Sequence, residues 1–126
     1  MAQRATTKRD RWPPGKAALK ALIEEAIVDA YNESEQRVGF YTLLDEHLDT
    51  PFETQILGAT ATVERIDMTD DEQIVAICRR GRAQQAIPIL DLPVPNPRPA
   101  GAEWIEAYRQ WMAGESSGLL PASNAA

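Results

Sequence analysis

The sequence predicts an α+β fold, and three observations carry that expectation. Apolar residues recur at helical spacing from residue 16 to about 50. From residue 52 to 88 the period changes to short β-like runs separated by tight turns. Beyond four closely spaced prolines the helical period returns with an aromatic stripe. The expected architecture is an N-terminal helical pair, a small antiparallel SH3-like sheet or barrel, and a C-terminal amphipathic helix. At 126 residues the chain has room for one modest domain. That domain is expected over 16–92, with helices in 16–50 and the β-region in 52–92.

Residues 1–15 read as a flexible basic arm closed by Pro13-Pro14-Gly15. Leu19, Leu22, Ile23, Ala26, Ile27 and Ala30 then share one face of a first helix, expected to end near Tyr31-Asn32. Ser34 suits the N-cap of a second helix, although Arg37 occupies the place where a capping box needs Glu or Gln. Its stripe is Val38, Tyr41, Leu44 and Leu48, and Pro51 stops it. Strands follow at Glu53–Leu57, Thr60–Asp67, Gln73–Arg79 and Ala83–Pro88. Pro93, Pro95, Pro97 and Pro99 make 93–100 an extended linker. The segment 101–114 forms the third helix, with Trp104, Ile105, Tyr108, Trp111 and Met112 on one face and Gly114 at its C-terminal boundary. Docking of that face on the chain's own domain is the simplest outcome, and a protein partner on the C-terminal helix is the alternative. Residues 115–126 read as a disordered tail.

Composition narrows the function. No apolar run is long enough to span a membrane, and Met1 to Arg11 lacks the apolar core of a secretory signal. One cysteine, Cys78, and one histidine, His47, exclude an internal disulfide and a zinc site, which suits a reducing, cytoplasmic setting. The net charge of −6 is unevenly spread, for residues 1–20 hold six bases and one acid. Residues 24–53 hold nine acids and one base, so the main body repels nucleic-acid phosphates and attracts cations. No phosphate loop or nucleophile elbow is present, and the chain is not expected to be an enzyme.

The acids form two groups. Glu25, Asp29 and Glu33 are spaced by four, as are Asp45 and Asp49, so on helices they face and repel one another. A hard cation relieves such repulsion, and calcium asks for six to eight oxygens, more than helical spacing alone supplies. The turn near Asn32–Glu35 or carboxylates from another element must complete any site. The second group, Asp67, Asp70, Asp71 and Glu72, falls in a hairpin turn rich in backbone carbonyls. It is not an EF-hand loop, since Glu72 stands where that loop needs glycine and Cys78 where it needs glutamate. On composition alone, a solvated acidic face competes with a cation site.

The run Ile27-Val28-Asp29-Ala30-Tyr31-Asn32-Glu33-Ser34-Glu35-Gln36-Arg37-Val38-Gly39-Phe40-Tyr41, continuing through Leu44-Asp45-Glu46-His47-Leu48 to Pro51-Phe52, resembles a known signature. It is similar to that of the small bacterial calcium-binding proteins typified by the cyanobacterial CcbP. The resemblance covers about residues 22–92, including Ile87-Pro88-Ile89-Leu90-Asp91-Leu92. It implies an acidic, soluble calcium binder with no catalytic role. Together with the cysteine usage, the expectation is a cytoplasmic, monomeric buffer or sensor in calcium signalling. The candidate ligands are Asp29, Glu33, Glu35, Asp45 and Glu46, with Asp70 and Asp71 as a weaker second site. The chain departs from the pattern at Ser34 and Gln36, inside the acidic turn. The alternative function is a protein-interaction module built on the proline-rich segment and the aromatic helix, with the acids serving solubility.

Overall fold

The computed structural model describes residues 12–124, with side chains through Gly114. Most of the expected basic arm lies outside the described residues. Helices α1 (Lys16–Ile27) and α2 (Glu33–His47) precede strands β1 (Phe52–Ile56), β2 (Ala59–Met68), β3 (Ile74–Arg80) and β4 (Ala83–Pro88). A 3-10 turn at Ile89–Asp91 and helix α3 (Glu103–Asn124) complete the chain. The strands form an open antiparallel meander in sequence order. The turns allow a sheet or a partly closed barrel, and the strand order is that of an open sheet with β1 and β4 at its edges.

Every residue of Ile74-Val75-Ala76-Ile77-Cys78 is buried, as suits an interior strand of β-branched and small residues. Ile74, Ala76 and Cys78 join Ala61, Val63 and Ile66 of β2 on the face turned to the helices. The helices supply Ala26, Phe40 and Leu44, and α3 adds Trp104, Ile105, Ala107, Tyr108 and Trp111. The aromatic helix therefore docks in cis. The Phe40 ring lies 5.4 Å from Tyr108 and 5.3 Å from Trp111. Helices α1 and α2 cross at backbone contact, because a Cβ on Gly39 would stand 2.1 Å from the Ala26 carbonyl oxygen.

Several expected boundaries move. α1 stops at Ile27 because Asp29 turns into the left-handed region, φ 65°, so Ala30 is not on its stripe. α2 starts at Glu33 behind an Asn32 cap, not a Ser34 cap, and ends at His47. Its inward face is built on Phe40 and Leu44, and Val38 is 45% exposed. α3 runs past Gly114 to Asn124, so the backbone of the tail expected to be disordered is helical to that point. The proline segment is a strap fastened at both ends. Thr54 Oγ1 donates to the Pro93 carbonyl (2.6 Å), and Asp49 N–H to the Ala100 carbonyl (2.9 Å). Gly101, at φ 90°, passes so close to the His47 carbonyl that a Cβ there would lie 2.1 Å from its oxygen.

Candidate functional site

The corner between α1 and α2 is built from its polar residues. Asn32 accepts from the Glu35 N–H (2.8 Å), and the Glu35 carboxylate reaches back to accept from Tyr31 N–H (2.7 Å). That is a reciprocal cap displaced from the Ser34/Arg37 frame, and it puts Glu33 and Glu35 in the first turn, where the helix dipole favours acids. Glu33 forms an ion pair with Arg37 at 2.7 Å. Arg37 also lies over the Trp111 ring, 5.5 Å from its centroid, and donates to the Tyr108 hydroxyl (3.4 Å). The expected repulsion of Glu25, Asp29 and Glu33 along one helix does not arise, because Asp29 lies between two helices and Glu33 opens the second.

The turn between β2 and β3 is equally tied. Thr69 N–H donates to the Gln73 carbonyl and the Thr69 carbonyl accepts from Glu72 N–H, both at 2.9 Å. The Thr69 hydroxyl donates to Asp71 and accepts from Gln73 N–H. Glu72 takes φ 64° and accepts from Ser34 Oγ at 2.5 Å. This last bond is decisive for the layout, since it holds the two acidic segments, 38 residues apart, side by side. Farther along the same seam, burial pushes the Tyr41 hydroxyl pKa up, and the charges of Asp45 and Asp67 push it further, with Arg65 opposing.

The two departures from the acidic pattern thus have structural partners. Ser34 joins the corner to the β2–β3 turn, and Gln36 accepts the Trp111 indole N–H at 3.0 Å. Of the sequence candidates, Glu33 and Glu35 are engaged in the corner and Asp71 in its turn, while Asp29, Asp45, Glu46 and Asp70 are exposed. The sequence already groups Asp67 and Glu72 with Asp70 and Asp71 in the second acidic turn, but it does not mark Tyr41, whose hydroxyl feels the charges of Asp45 and Asp67. Nor does it show that Ser34 ties that turn to the first acidic segment. The donor chemistry is all oxygen, which suits a hard cation. Among the described residues, however, no three His, Cys, Asp or Glu side chains are gathered into a metal-holding group. Catalytic features are weak: His47 stacks on Trp104 at 5.5 Å, and burial pushes the Cys78 thiol pKa up, away from a reactive thiolate.

Comparison with known proteins adds three findings. A protein-family model described as calcium binding, of the CcbP type, matches residues 20–112, and so takes in the proline strap and most of the buried part of α3. The crystal structure of Anabaena CcbP superposes with a TM-score of 0.66 at 21% identity, covering 81% of this chain and 94% of that one. A calcium-binding protein in its calcium-binding form gives 0.63 at 19% identity, covering 79% and 93%. At such identities the likeness establishes the fold. Curated protein sequences give no match.

Proposed function

The chain belongs to the CcbP family of calcium-binding proteins, and from that premise we propose that calcium binds along the seam between α2 and the β2–β3 turn. The observation that carries the location is the Ser34–Glu72 hydrogen bond, which brings both acidic segments to one surface. Asp45 and Glu46 on α2, with Asp29 at the corner, are the exposed ligands we rank first. Glu33 and Glu35 join them only by giving up Arg37 and the Tyr31 N–H. Asp70 and Asp71 form the second position, with Asp67 and Glu72 at its edge. Because no cage is gathered beforehand, carboxylates must swing inward on binding. Calcium's loose shell tolerates that, and magnesium's octahedron does not.

We read the protein as non-enzymatic and cytoplasmic, acting alone. Among the described residues no helix is long and apolar enough to cross a membrane. The aromatic face on which an interaction module depends is spent in the core. Gln36 links the acidic corner to Trp111, which favours a sensor over a buffer and makes indole fluorescence a direct reporter. The test is calcium titration by calorimetry on three chains. Asp45→Asn is expected to lower affinity at least several-fold while unliganded stability stays within about 0.5 kcal/mol. Unchanged affinity there, with loss in the Asp70→Asn, Asp71→Asn double variant, moves the primary site to the hairpin turn.

A further inference from the structure

We propose that the end of the sheet opposite the acidic seam is a docking surface for anionic lipid membranes. The meander puts two tight turns at that end: Leu57-Gly58 joins β1 to β2, and Gly81-Arg82 joins β3 to β4. A small cleft lined by Ile56, Ala61, Arg79, Arg80 and Ala83 shows that the two lie side by side. The acidic β2–β3 turn lies at the far end of the same strands.

Leu57 is the outlier that draws attention. It has φ 52° and is followed by Gly58 at φ 80°, a two-residue turn that favours Asn, Asp or Gly. Its side chain is 100% exposed. Leucine is therefore unfavourable here twice over, in backbone conformation and in hydration, and no contact among the described residues offsets either. The charge around it is equally uneven. Residues 54–63 and 74–90 contain no acid, yet they hold Arg79, Arg80 and Arg82 in a chain of net charge −6. Arg79 is paired with Glu64 at 2.6 Å. Arg80 and Arg82 are exposed and have no acidic partner among the described residues.

The occupant follows from shape and charge. One fully exposed leucine at a hairpin tip, with Arg80 and Arg82 on the neighbouring hairpin at the same end, offers far less than the ~800 Å² per partner of a specific protein interface. A headgroup layer deforms around a point. Arginine pairs phosphate oxygens in a bidentate manner, and the leucine reaches the acyl boundary beneath them. The acidic corner and the β2–β3 turn it touches lie at the other end of the strands, so the molecule would stand end-on. A contact of this size is reversible.

The experiment is co-sedimentation of the full chain with vesicles, in EDTA so that calcium bridges nothing. Vesicles of equal parts phosphatidylserine and phosphatidylcholine should bind roughly 30-fold better than phosphatidylcholine alone, at about 1 kcal/mol per arginine. Arg80→Glu with Arg82→Glu should abolish that preference. Leu57→Asn should weaken binding several-fold while melting at the same or higher temperature, since asparagine suits the turn. No preference for anionic vesicles, or a preference that survives the double variant, overturns the proposal. So does capture of polyglutamate in place of vesicles with Leu57→Asn inert, which would make this end a site for an acidic polypeptide.

Discussion

The interior where α3 crosses α2 and the rim where α2 meets the β2–β3 turn lie on one helix, yet they are built on opposite terms. In the interior Phe40, Tyr108 and Trp111 are buried ring against ring, and the polar tips that remain are satisfied by Arg37 and Gln36. At the rim Asp45, Glu46 and Asp70 project into water, and the ordered contacts are short hydrogen bonds from Ser34 and Thr69. The interior is complete as it stands. The rim has unspent capacity, and it is the part of α2 that a cation can change. On the proposed reading, binding resides where the fold has left charge uncompensated.

Breaking the interior gives the largest effect. Phe40→Ala empties a fully buried site and should cost about 3–5 kcal/mol in chemical denaturation. A loss below about 1 kcal/mol would show that the aromatic crossing does not hold the fold. The rim is sharpened by saturating it. Calcium at a hundredfold over its dissociation constant should stabilise by about 2.7 kcal/mol, and magnesium at equal concentration by clearly less. Equal gains that shrink with sodium chloride would reduce the rim to a screened acidic face.

A smaller effect separates the corner's frame from its ligands. Asn32→Ala removes the cap and should cost about 1 kcal/mol in thermal unfolding without calcium. Asp29→Asn should leave that baseline unchanged. The smallest effect is spectroscopic. The Tyr41 hydroxyl sits above its ordinary pKa in the fold, so its share of stability is full below the unfolded tyrosine value near 10 and fades as pH rises through the higher folded value. A cation held by Asp45 and Asp67 should bring that folded value down. Ultraviolet titration with and without calcium, with Tyr41→Phe to assign the signal, measures the difference. An unmoved Tyr41 excludes that stretch of the seam.

Much of the fold is legible because burial leaves a period. The strand Ile74–Cys78 announces itself by β-branched residues between turn signals, and the stripe of α3 by its aromatic spacing. Phe40 was hidden because Phe40-Tyr41 offers two adjacent aromatics, and only the crossing with α1 at Gly39 decides which one turns inward. The α1–α2 corner was misplaced because a left-handed Asp29 leaves no trace in hydrophobic spacing, while Asn32 and Ser34 are equally good caps on paper. The acidic composition was plain. The seam was not, because the contact of Ser34 with Glu72 is a tertiary event that no local pattern encodes.

The fastening of the proline strap also bears on how the molecule is made. Synthesis delivers α1, α2 and the sheet first, when Phe40 and Leu44 have no aromatic cover. That surface closes only after Trp104, Tyr108 and Trp111 have been added and the strap has swung them back to α2. Until then the nascent chain carries an open apolar patch beside a dense acidic rim. Mutual repulsion between rims on neighbouring ribosomes would hold those patches apart during the wait. The charge that later attracts a cation would first serve as insurance against aggregation.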